Sequence, residues 1–141
     1  MRIMAVDYGD ARTGLAVSDD SAMLAGDAWV LKEKDAQAVA RTIAGEAISR
    51  GVSLIVVGHP KNMNGTTGPR AKKSEEMAET IGKLCDIEVV LWDERLTTMS
   101  ANRILTETGR FGKKRKGAVD AVAASLILEG YLGYLSMRDA R

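Results

Sequence analysis

A chain of 141 residues with 45% hydrophobic and 28% charged residues can bury one real core but is too short for two lobes closing around a nucleotide. Its formal net charge is +1, which excludes a bulk polycation and leaves local clustering as the source of any attraction to nucleic acid. One cysteine and one histidine exclude an internal disulfide and a thiolate–imidazole zinc site, and they fit a reducing compartment. With no basic-then-apolar leader and no apolar run of membrane-spanning length, a soluble, cytoplasmic protein with no membrane partner is expected. No repeat or linker divides residues 1–141, which read as one domain.

The chain opens with two apolar runs, Ile3–Val6 and Leu15–Ser18, around a Gly-containing segment, the pattern of a β-hairpin. The first run is continuously apolar, as in a strand covered on both faces. Asp7 stands where that strand leaves the core, and a carboxylate there needs a cation or donors. It either caps the turn through its own side chain or holds a divalent metal. Gly9 and Gly14 lack a Cβ and admit close approach, with a nucleic-acid phosphate as the expected neighbour. Met23–Leu31 is a weaker strand candidate.

Asp35 then offers a helix N-cap, Val39, Ile43 and Ala47 recur at helical spacing, and Gly51 supplies a stop. Ser53–Val57 is a short β-branched run and reads as a buried strand, so a parallel strand–helix–strand unit is expected. A polar, Gly-rich loop from Gly58 to Gly68 follows at the strand's C-terminal end, the edge at which open α/β sheets bind ligands. Pro69 suits the first turn of the next helix, whose apolar stripe is Met77, Ile81 and Leu84, with Arg70, Lys72, Lys73, Glu75, Glu76 and Glu79 mostly outside it. The loop either cradles phosphate with Arg70 and Lys61 or is a solvated connector. His59 reads as a hydrogen-bonding residue, not a catalytic one.

Ile87–Trp92 is another strand, ending in Asp93-Glu94-Arg95. That ending is either a second carboxylate site or a surface ion pair worth under about 1 kcal/mol. A helix capped by Thr97 or Thr98 and ended by Gly109 follows. Arg110–Gly117 carries the strongest basic cluster, Lys113, Lys114, Arg115 and Lys116, and its two glycines suggest a mobile loop that holds phosphates by counterion release. Ala118–Leu135 closes the chain as a buried helix, with a frayed tail beyond Met137. Asp120 either complements the helix dipole or joins Asp7 and Glu94 at one edge. Trp29, Trp92, Tyr131 and Tyr134 are expected to pack.

These segments together resemble the YqgF family, the Holliday-junction-resolvase-like branch of the RNase H-like superfamily, almost end to end. The residues that carry the likeness are Val6-Asp7-Tyr8-Gly9 with Arg12, Gly14 and Ala16–Asp19. Val57-Gly58 follows, with Pro60, Asn62-Met63, Gly65 and Gly68–Ala71. Trp92–Thr98 and Lys113–Lys116 with Val119-Asp120-Ala121 complete the set. His59 and Lys61 stand where the family usually has leucine, and Asn64 where aspartate is common.

The resemblance implies an α/β, RNase H-like three-layer fold. Its five-stranded mixed sheet has helices on both faces, with three strands in an antiparallel meander and two more parallel to the first. It implies acids at Asp7, Glu94 and Asp120, with Asp93 adjacent, and a hydrolase maturing the 5′ end of pre-16S rRNA or cutting branched DNA. The expected cofactor is Mg²⁺ or Mn²⁺, a pair about 4 Å apart that Asp7 bridges while Glu94 and Asp120 each hold one side. Arg12 and Arg95 would brace the scissile phosphate. Arg70 with Lys113, Lys114, Arg115 and Lys116 would hold the nucleic-acid backbone. The partners implied are precursor rRNA, or branched or single-stranded DNA, and a ribosomal-subunit precursor, with the chain a monomer or homodimer. The competing reading is a non-catalytic RNA-binding assembly factor, against which three carboxylates beside phosphates argue.

Overall fold

A computed structural model describes residues 1–20, 25–60, 64–65, 67–93 and 112–139, with the backbone alone for 25, 112–120 and 139. In chain order these form β1 (Ile3–Asp7), β2 (Arg12–Ser18), β3 (Ala25–Lys32), α1 (Ala36–Ser49), β4 (Leu54–His59), α2 (Pro69–Leu84), β5 (Glu88–Asp93) and α3 (Gly112–Asp139). The sheet order is β3-β2-β1-β4-β5, so the first strand is the central one. β1–β2 and β2–β3 pair antiparallel, while β1–β4 and β4–β5 pair parallel, as the resemblance implies.

Strand alternation divides the apolar residues between two faces. Met4, Val6, Leu15, Val17, Ile55 and Val57 pack under α1 and α2 with Val39, Ile43, Met77 and Ile81. Ile3, Ala5, Ala16, Leu54 and Val56 pack under α3 with Ala124, Ile127, Leu128 and Leu132. Ile3, Met4, Ala5 and Val6 are each 0% exposed, which is why the opening run lacks any polar alternation.

The β1–β2 turn depends on Gly9. A Cβ there would lie 2.3 Å from the Arg12 carbonyl oxygen, so the hairpin closes only on a residue without a side chain. The close neighbour at Gly9 is thus the chain's own backbone at Arg12.

Asp35 caps α1, its Oδ2 accepting from the Ala38 N–H at 3.0 Å, and Gly51 follows the helix at φ +69°. Pro69 occupies the first turn of α2. Leu84, expected inside, is 43% exposed. Met77, Ile81 and Cys85 share the inward stripe instead, Cys85 packing against the core with its thiol donating to the Ile81 carbonyl at 3.3 Å.

The basic cluster also departs from expectation. Residues 112–117 belong to α3, which starts six residues before the expected Ala118 and runs to Asp139. Lysine and arginine are good helix formers, and one interior glycine costs only about 1 kcal/mol, less than the packing of the helix's later turns supplies. The helix expected between Thr97 and Gly109 lies outside the described residues.

Candidate functional site

Parallel pairing of β1, β4 and β5, with β2 running the other way, brings Asp7, Arg12, His59 and Asp93 out at one edge of the sheet. β3 ends at the same edge, where Lys32 pairs with Arg12, so α1 also starts there. Arg70 reaches that edge from the first turn of α2 and is exposed.

Asp7 is half-buried at the end of the central strand. It shares the strand parity of Ile3 and Ala5, so its carboxylate belongs to the α3 face. Asp93 alternates with Val90 and Trp92, which pack under α3, so it belongs to the opposite, α2 face. The two acids are also two strand spacings apart, about 10 Å of backbone. Glu94 and Arg95 lie outside the described residues, and Asp120 and Lys113–Lys116 lie in α3 without described side chains. Among the described residues no three histidine, cysteine or acidic side chains converge as a metal cluster. Asp7 nevertheless offers the hard oxygen donors that Mg²⁺ or Mn²⁺ takes, on the face where α3 lies.

The α2 side of the same edge is polar and tied together. His59, with its side chain 9% exposed, sets Nε2 3.0 Å from Glu75 Oε1, which makes it a hydrogen-bonding residue as read from sequence. Lys73 Nζ pairs with Asp10 Oδ1 at 3.0 Å. That hydrogen bond and charge hold the Asp10 carboxyl below its ordinary range and raise the Lys73 ammonium. A cleft of about 340 Å³ opens between the β1–β2 turn and the helices α1 and α2, with Tyr8, Gln37 and Glu76 among its walls. Sequence reasoning missed it because its walls come from three separated segments. The one available signal was Tyr8, an aromatic residue beside Asp7.

On the α3 side, Trp92 anchors the end of β5. Its ring meets Tyr131 edge-on at 5.7 Å and 84°, with Tyr134 at 6.0 Å. Gly130 makes room for it, since a Cβ there would sit 3.3 Å from the indole. Burial is the main cause of a raised Tyr131 phenol.

The family model described as "RuvX: Holliday junction resolvase" matches residues 1–134. A protein of Halothermothrix orenii named "Putative pre-16S rRNA nuclease" is 46% identical over 134 residues, covering 95% of this chain and 96% of that one. A protein of the same name from Ruminiclostridium cellulolyticum is 45% identical over 133 residues, 94% of each chain. Among solved structures, T. thermophilus RuvC in complex with Holliday junction substrate superposes with a TM-score of 0.62 at 12% identity, over 94% of this chain and 96% of that one. The fowlpox virus Holliday junction resolvase gives 0.57 at 14% identity, over 95% and 99%. At those identities the likeness is one of fold, the RNase H-like sheet with its two helical layers.

Proposed function

The chain belongs to the RuvX family of Holliday junction resolvases, and from that membership we propose that it is a metal-dependent nuclease that hydrolyses phosphodiester bonds at the 5′ end of precursor 16S rRNA. The observation that carries this reading is the family match over residues 1–134, with an acid, Asp7, at the end of the central strand.

In this reading Asp7, Glu94 and Asp120 hold Mg²⁺ or Mn²⁺. Divalent ions, when bound, supply charge stabilisation at the phosphate and an activated water, so no serine or cysteine nucleophile is required. The helical repeat sets position 120 one turn before Ala124, in line with the residues of α3 that meet the sheet. Asp93, on the other face, falls outside the ligand set. Arg12, half-buried at the start of β2, and Arg95 brace the scissile phosphate, a task suited to a planar fork of donors. Arg70 acts beside the N-terminus of α2, whose Gly68 cap makes no side-chain bond and leaves N–H groups for an anion. Lys113, Lys114, Arg115 and Lys116, now on a helix, hold the backbone of the nucleic acid farther out. A cytoplasmic location follows from that substrate. Among the described residues no helix is long and apolar enough to cross a membrane.

A second reading, a DNA endonuclease acting on branched junctions, is favoured by the family description and the RuvC-like fold. It requires two copies working together. A non-catalytic RNA-binding factor is disfavoured, because carboxylates beside a phosphate repel it unless cations intervene.

Labelled precursor 16S rRNA, single-stranded DNA and four-way junctions, each with Mg²⁺ or Mn²⁺, separate these readings when run beside Asp7→Asn. Metal-dependent trimming of the rRNA by the wild type alone is the expected result. Equal turnover by the variant would sink the assignment.

A further inference from the structure

The cleft on the α2 side lies at the same sheet edge as Asp7 but on the opposite face, and nothing in the proposed cleavage chemistry uses it. Tyr8 follows Asp7 directly in the chain and packs on the other side, against the core under α1 and α2. One dipeptide therefore presents a carboxylate to the α3 face and an aromatic ring to the cleft.

The cleft measures about 340 Å³, within the range of small-ligand pockets. Its lining combines the apolar Tyr8 and Met77 with the polar Lys34, Gln37 and Glu76. The side chains of Gln37 and Glu76 are exposed and hold no hydrogen bond among the described residues. An amide, a carboxylate and an ammonium beside an aromatic face match a flat ring with donors and acceptors on its rim. They do not match a bare phosphate, which Glu76 and Asp10 would repel. The Asp10–Lys73 pair at the mouth is exposed at 77% and 54%, so it yields readily to a ligand.

We propose that this cleft receives one unstacked nucleobase of the strand whose phosphate lies at Asp7, with the base stacked on Tyr8 and its edge read by Gln37 and Glu76. This rests on the nuclease reading and deepens it. A strand that must place a phosphate on one side of the edge and a base on the other is single-stranded or distorted there. The cleft thereby selects unpaired segments over regular duplex.

The test is an abasic scan. Single-stranded RNA of about a dozen nucleotides, with one abasic site moved along it, is titrated against the protein with Ca²⁺ in place of Mg²⁺, so that binding alone is read. One position is expected to weaken binding about tenfold, as removal of a stacked base does. That penalty is expected to shrink severalfold in Gln37→Ala/Glu76→Ala, two exposed positions whose loss leaves the core intact and the stack on Tyr8 in place. 5-Iodouridine at the same position is expected to crosslink to the peptide containing Tyr8. Tight binding with a flat scan, or a penalty undiminished in the double variant, overturns the cleft's role and leaves the nuclease reading standing. Absence of any binding to RNA or DNA overturns both.

Discussion

The two faces of the sheet each bury an apolar cluster and differ at one edge. Under α1 and α2 the core ends in a polar cleft lined by the Asp10–Lys73 pair, with the His59–Glu75 pair at the same edge. Under α3 it ends in the half-buried Asp7, with an aromatic cluster on Trp92 steadying the neighbouring end of β5. Packing is shared between the faces, whereas the strand alternation of a single dipeptide, Asp7-Tyr8, sends a carboxylate to one and an aromatic ring to the other.

The sharpest way to break this comparison is Asp7→Asn. Metal-dependent cleavage is expected to fall by at least about a thousandfold, because an amide is a poor ligand for a hard dication. Thermal unfolding should barely move, and a cooperative melt beside a lost activity is the signature to look for. The reverse pattern is expected from Ile81→Ala on one face and Leu128→Ala on the other. Both are fully buried, and each should cost about 2–5 kcal/mol in denaturant titrations, whichever face is cut.

Neutralising Lys113, Lys114, Arg115 and Lys116 should leave unfolding nearly unchanged. It should lower the slope of log affinity against log salt by about three for a nucleic-acid ligand, each lost cation removing a little under one. An unaltered slope would remove this segment from the interface. Asp35→Ala, which deprives the Ala38 N–H of its acceptor, should cost about 1 kcal/mol and leave the salt slope alone.

The smallest effect belongs to Asp10 and Lys73. Asp10 is lowered by its partner, so its contribution is present above the ordinary carboxylate range and is lost as pH falls through its depressed folded value. Lys73 is raised, so its contribution is present below the ordinary lysine range and is lost as pH rises through its elevated one. Both groups are exposed. The melting difference between wild type and Asp10→Asn should therefore be slight at neutral pH and vanish in acid.

Much of the fold was legible because burial writes itself into local pattern. Ile3–Val6 is apolar without alternation because both of its faces are covered, and Asp35, Gly51 and Pro69 mark helix ends through bonds and angles that span only a few residues. Positions that depend on distant partners were harder to read. Leu84 loses the inward place to Cys85 because α2 ends there and the chain turns toward β5. Residues 112–117 look like a loop from their glycines, but a long helix anchored by Ala124, Ile127 and Leu128 carries them along. Asp7 was marked from sequence by its position at a strand end. Asp93 reads from sequence as the acid adjacent to Glu94, and strand parity sets it on the face opposite Asp7. The cleft left only Tyr8 as a local trace, since Gln37 and Glu76 join it only after the sheet has formed.

The central place of β1 also shapes the order of assembly. Residues 3–7 leave the ribosome before the other strands, and β2 and β3 can join them as a local meander at once. Their other edge stays open until residues 54–59 have been made, because β4 is its partner. For the synthesis of some fifty residues a fully apolar run, Ile3–Val6, is a bare strand edge, the template on which chains stick to one another. Closing it requires a distant contact, the kind that slows folding. Translation pauses or chaperone capture in that interval should therefore influence the yield of native protein more than any substitution on its finished surface.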